Sequence, residues 1–188
     1  MYIHGAHSSA LSFKYVNIAL PEHKALYLNY SVDTPFIDNE KEFWNLIHNE
    51  FKGEPCDIIA HSMGGLYAAR IAKKCDCVQR VVTISTPYGG SKFVDYLRLL
   101  APQYQLFKDV RCSSPVIKSF TGYTSEKPFL QIVTTGGGNP LMGEQNDGTV
   151  TIRSQKSIGV DMVELDLNHF EVLLSDVAIN VIKNHLYA

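Results

Sequence analysis

The chain has 188 residues, 45% of them apolar and 19% charged, with a formal net charge of −2. That is the size and make-up of a single globular domain over 1–188, able to bury its own core. A near-neutral chain with scattered lysines and arginines gives no basis for nucleic acid or an anionic membrane as partner. No apolar run approaches the roughly 20 residues of a membrane span.

The opening residues, Met1-Tyr2-Ile3, read as a short strand that runs into a loop at His4-Gly5-Ala6-His7-Ser8-Ser9. They carry no basic, apolar and small-residue sequence of the kind a leader needs, so a cytoplasmic protein is expected. Leu11 to Leu20 is a short helix stopped by Pro21, and Ala25 to Tyr30 a second strand. Asp38 to Phe51 is a helix: Phe43, Trp44, Ile47 and Phe51 recur at helical spacing, and Gly53 follows its end. Cys56 to Ala60 is an apolar strand, and Leu66 to Lys74 a helix with small residues on the face that would pack on a sheet. Val81 to Ser85 is a β-branched strand. Lys92 to Ala101 reads as a helix, and Pro115 to Phe120 as a short one. Phe129 to Thr135 and Val160 to Leu165 are further strands, and Phe170 to Leu186 is the closing helix.

Strands alternate with helices from end to end, and the strands are continuously apolar. This pattern predicts an α/β fold: about six mostly parallel strands with helices on both faces. Residues 92–127 are longer than a bare crossover and could form a small helical flap. Cys56, Cys75, Cys77 and Cys112 have neither C-x-x-C nor zinc spacing, and Cys75 and Cys77 are too close for an ordinary bridge. Reduced thiols are expected. No ligand cluster suggests a metal, and Gly136-Gly137-Gly138 lacks the residues that would make it a phosphate loop. No cofactor is expected.

The stretch Ala60-His61-Ser62-Met63-Gly64-Gly65 stands between strand and helix. A serine with small residues two before and two after it is the pattern of a nucleophile elbow, with Ala60 in place of the first glycine. Such a turn presents the hydroxyl at the carboxyl end of the strand. It also leaves the Met63 N–H at a helix start, where it can hold an oxyanion. Serine needs a base, and the base needs an orienting group. Of the seven histidines, His169 follows the last strand and precedes the closing helix. For the carboxylate, Asp147 in Asn146-Asp147-Gly148-Thr149-Val150 is best placed, with Glu144 and Asp166 as rivals. A second oxyanion donor can come from the early loop, where Gly5 would let the Ala6 N–H turn inward. His4, Gly5, His61 and Tyr88 are the candidates to line the substrate site.

These motifs, with Ile3-His4-Gly5 and Thr86-Pro87-Tyr88-Gly89-Gly90-Ser91, resemble those of lipases and esterases of the α/β-hydrolase superfamily. The alanine-first elbow is similar to that of small bacterial lipases. The resemblance implies a minimal form of that fold, since the chain starts almost at the His4-Gly5 loop. It implies Ser62 as nucleophile, His169 as base and acid, Asp147 as orienter, and Ala6 and Met63 as the oxyanion hole. It implies a small-molecule or lipid ester as substrate. A thioesterase, amidase or acyltransferase on the same site, or a binding module that kept the fold, are the alternatives.

Overall fold

The computed structural model describes residues 1–20, 24–91, 94 and 101–187. Among these, six strands form one sheet: β1 (Tyr2–Ile3), β2 (Tyr27–Leu28), β3 (Cys56–His61), β4 (Val78–Ile84), β5 (Phe129–Thr134) and β6 (Asp161–Leu165). Their order is β2-β1-β3-β4-β5-β6, and every neighbouring pair is parallel.

Parallel strands need crossovers, and here these bury both faces of the sheet. Helices α1 (Lys14–Ala19), after a 3₁₀ turn at Ala10–Phe13, and α7 (Asp176–Leu186) cover one face. Helices α2 (Phe36–Phe51) and α3 (Met63–Lys74) cover the other, with α4 (Gln105–Val110) and α5 (Pro115–Lys118) beside them; the short α6 (Ile152–Gln155) falls between β5 and β6 in the chain. Side chains alternate across the pleat accordingly: Ile58 and Ala60 join the α2/α3 core, while Ile59 joins the α1/α7 core. Phe36 stacks on Tyr67 at 3.8 Å, which fixes α2 against α3. Beside that contact the buried Glu40 receives Arg70 Nε at 3.0 Å and Nη2 at 2.8 Å. Burial alone would raise the Glu40 carboxyl, but Arg70 and Lys74 hold it below its ordinary value.

The elements differ from the sequence reading mainly at their ends. The strand expected over 25–30 contracts to Tyr27–Leu28. Helix α2 begins two residues early, because Pro35 supplies a preset start. The closing helix divides: a 3₁₀ turn at Glu171–Leu174 precedes α7, with Ser175 extended between them. The helix expected at 92–101 lies, apart from Val94 and Ala101, outside the described residues. Within the rest of 92–127, Val116, Ile117 and Phe120 are core residues, and the Tyr123 hydroxyl donates to the Ala69 carbonyl at 3.0 Å.

The cysteines require a correction. Cys75 and Cys77 are disulfide-bonded. Helix α3 ends at Lys74, Cys75 after it is extended, and the chain turns back through Asp76 into β4. The two Cα atoms come within 5.3 Å, a separation a disulfide spans.

The first turn of α3 abuts β1. A Cβ on Gly64 would stand 2.3 Å from the Ile3 carbonyl oxygen and 2.5 Å from that of His4. Both obstacles are backbone and cannot swing aside. Gly64→Ala is therefore expected to destabilise by about 1–3 kcal/mol or more, an overpacking cost. Thermal unfolding should show a midpoint several degrees lower. Gly138→Ala, where a Cβ meets nothing within 4 Å, should leave it unchanged.

Candidate active site

Because the sheet is parallel, the loops after β1, β3, β4, β5 and β6 open at one edge, where α/β sheets place their sites. The elbow comes from β3. Ser62 has φ 53° and ψ −128°, a conformation that side chains rarely adopt. It is held there by its own N–H donating to the Ile84 carbonyl at 2.8 Å and by its carbonyl accepting from Gly65 N at 3.0 Å. Met63 opens α3, so its N–H has no acceptor within the helix. The β1 loop passes against this turn: a Cβ on Gly5 would lie 3.1 Å from Ser62 Cβ. Ala6 follows at once, half-buried.

The loop after β6 carries His169. Asn168 accepts from Phe170 N at 3.0 Å and Glu171 N at 2.9 Å, which starts the 3₁₀ turn and leaves His169 pointing inward, 2% exposed. Its Nε2 lies 3.0 Å from Ser62 Oγ and its Nδ1 2.8 Å from Asp147 Oδ2. The three residues picked from the sequence thus meet in one row.

Asp147 is 1% exposed. Its loop is tied by Asn146, whose amide bridges Asn139 and Glu144 and whose oxygen receives Asn139 N and Gly148 N. Asp147 Oδ1 accepts from Thr149 N at 2.9 Å and Val150 N at 2.7 Å. Oδ2 accepts from Thr134 Oγ1 at 2.5 Å, Gln155 Nε2 at 3.2 Å and His169 Nδ1. Burial would raise this carboxyl; the bonds and charge of His169, with those of Thr134 and Val150, hold it below its ordinary value instead. Asp147 is thus an ionised acceptor that fixes the Nδ1–H tautomer of His169 and leaves Nε2 to face the serine. Of its rivals, Glu144 pairs with Arg153 at 3.3 Å and Asp166 is exposed at the end of β6.

Thr134, Gln155 and Ser85 escaped the sequence reading. Thr134 ends β5 and Ser85 follows β4, and their hydroxyls meet at 2.7 Å beneath Asp147. A buried hydroxyl at the carboxyl end of a core strand was the available signal. Gln155, which also binds both backbone polar groups of Thr134, had none.

Of the residues expected to line a substrate site, Gly5 lies against Ser62, while His4, His61 and Tyr88 are buried. His4 is buried. Its Nε2 accepts from Tyr30 N at 3.3 Å, so Nδ1 carries the proton and donates to the Gly5 carbonyl at 2.7 Å. It holds the β1 loop. His61 is also buried, and its Nε2 donates to the His169 carbonyl at 2.8 Å. Burial and the nearby His169 push its pKa down to about 3, so the ring stays neutral. Tyr88 is 1% exposed and a core residue: its hydroxyl donates within the protein, to Thr83 Oγ1 at 3.1 Å or the Gly65 carbonyl at 3.3 Å. It supports the elbow from beneath, since the 86–91 loop turns its ring into the α3 core. Among the described residues, no group of three or more His, Cys, Asp or Glu is arranged to hold a metal, and no helix is long and apolar enough to cross a membrane.

No protein-family model matches the sequence, and no curated protein does. Solved structures do match. The mature lipase BlEst2 of Bacillus licheniformis superposes with a TM-score of 0.66 at 16% identity, over 98% of this chain and 90% of that one. A hydrolase from Pseudomonas aeruginosa PA01 gives 0.70 at 12% identity, over 100% and 89%. The enol-lactonase of Burkholderia xenovorans LB400 gives 0.61 at 16% identity, over 100% and 91%. The chain has the α/β-hydrolase fold.

The neutral His61 links the site to acid stability. Its pKa is about 3 when folded against 6.5 when exposed, so between these values the unfolded chain binds a proton the native one does not. Stability must then rise with pH across this window and be lost on acidification. The lowered Asp147 carboxyl acts in the same direction, lost only as pH falls through its folded value. Urea unfolding at pH 4.5 should show about 2–3 kcal/mol less stability than at pH 7.5. His61→Gln should flatten that dependence, and an unchanged slope would assign it elsewhere.

Proposed function

We propose that the protein is a serine hydrolase of carboxylic esters. The observation that carries the reading is the continuous row Ser62 Oγ, His169 Nε2, His169 Nδ1 and Asp147 Oδ2, with spacings of 3.0 and 2.8 Å. The fold and the lipase, hydrolase and lactonase names of its structural neighbours support it.

In this reading His169 takes the Ser62 proton as Oγ attacks the ester carbonyl. Asp147 keeps the imidazolium oriented and compensated. The oxyanion falls to the N–H groups of Met63 and Ala6, the two backbone segments that Gly5 and Gly64 bring into contact. His169 then protonates the departing alcohol, and a water that it deprotonates releases the acyl group. His4 and His61 are positioning residues here: one holds the oxyanion loop and the other the carbonyl of the base.

Ser62→Ala is expected to fold with the wild-type circular dichroism and melting curve. It should lose p-nitrophenyl ester hydrolysis by several orders of magnitude, on the scale of a serine protease that loses its nucleophile. A fluorophosphonate should label the wild type on Ser62. A folded wild type that takes no label and turns over no oxyester, thioester or amide would favour a binding module. Preference for a thioester over its matched oxyester would move the assignment to thioesterase.

A further inference from the structure

Three sulfurs gather at the opposite end of β3 from Ser62. Cys56 opens β3, and its N–H donates to the Cys77 carbonyl at 2.9 Å. Its Sγ lies 3.7 Å from Cys77 Sγ, in van der Waals contact with the Cys75–Cys77 disulfide. Cys56 is buried, whereas Cys75 and Cys77 are half-exposed beside a cleft walled by Trp44, Ile47, His48, Gly53 and Lys74. A thiol therefore faces a disulfide from the protein side, and solvent reaches that disulfide from the other. Burial holds the Cys56 thiol above its ordinary value; the Met1 ammonium and Lys127, which donates to the Cys75 carbonyl at the same corner, favour the thiolate against it, and Asp57 opposes them.

We propose that Cys56, Cys75 and Cys77 form a thiol–disulfide exchange site served by low-molecular-weight disulfides of the glutathione class. Exchange runs through attack of a thiolate on a neighbouring disulfide sulfur. Cys56 gives its proton to solvent and attacks Cys77 Sγ. The Cys56–Cys77 bond forms, the Cys75–Cys77 bond breaks, and Cys75 leaves as the thiolate. One disulfide and one thiol stand on each side, so the step needs no oxidant. The Cys75 thiolate, now at the cleft, attacks an external disulfide, forming a mixed disulfide on Cys75 and releasing one thiol. The migrated bridge closes a ring over residues 56–77 that contains β3, the elbow and α3.

The test is a disulfide map in the Cys112→Ser background, so that these three are the only cysteines present. The folded protein is incubated with glutathione disulfide, quenched in acid, alkylated with N-ethylmaleimide and digested for mass spectrometry. The expected products are Cys56–Cys77 linked peptides and a glutathione adduct on Cys75 in the same molecules. Cys56→Ser should lose both, and Cys75→Ser should form Cys56–Cys77 directly. If Cys56 is alkylated in every wild-type molecule, or if Cys75→Ser leaves Cys56 and Cys77 both alkylated, the proposal falls. Esterase assays do not enter this readout, so it stands apart from the assignment of Ser62.

Discussion

The site rests on one steric constraint: the end of β1 and the turn after β3 cross with almost nothing between them. Gly5 lies against Ser62 Cβ, and Gly64 lies against the carbonyls of Ile3 and His4. A side chain at Gly64 would force the two segments apart, and one at Gly5 would press on the His61 ring and Ser62 Cβ. A strained serine with positive φ costs about 1–3 kcal/mol and persists only where its surroundings leave no alternative. Here the surroundings are backbone: β1 on one side, the Ile84 carbonyl on the other, and α3 beginning immediately after. The strain at Ser62 is thus a consequence of how tightly these segments pack.

Around that crossing the protein buries an ionised carboxylate and three histidine rings. An isolated buried charge would neutralise itself. Asp147 stays charged because five donors converge on its two oxygens, two of them backbone N–H groups of its own turn. The histidines meet the opposite solution. His61 is kept neutral by burial, and in that state it has one proton to give, which goes to the His169 carbonyl. Were His61 charged, it would repel the imidazolium that the proposed chemistry creates on His169, 4.7 Å away between ring centres. Its low proton affinity is thus compatible with its place, and acid sensitivity is the accompanying cost.

The parts of this arrangement that were legible in the sequence are those set by local rules. Continuous apolar runs marked β3, β4 and β5, because strands covered on both faces must be apolar throughout. Small residues around Ser62 marked the elbow, because the turn excludes anything larger. Asp147 and His169 stood out because each follows a strand. What stayed hidden depends on direction in space. Tyr88 follows a strand and could have faced either the site or the core; its loop turns it inward, to the Thr83 hydroxyl and the Gly65 carbonyl. Gln155 reaches Asp147 from a separate short helix with no spacing to announce it. Cys75 and Cys77 were judged by sequence separation, when what mattered was that a helix ends just before one and the chain reverses before the other.

Strand β3 carries reactive atoms at both ends, and its polarity decides what each can be. At its carboxyl end the chain turns into a helix start, where unsatisfied N–H groups favour developing negative charge. That environment suits the oxyanion chemistry proposed for Ser62. At its amino end β3 meets the C-terminus of α3, whose free carbonyls disfavour anions. A thiolate there needs outside help, and the Met1 ammonium and Lys127, the latter hydrogen-bonded to Cys75 just past that helix, are the cations in place to give it. Six residues of extended strand put about 20 Å between the two ends. At that distance, across a packed core, the two sites do not share protons or charge. What they share is β3 itself and the helix that returns from one end to the other.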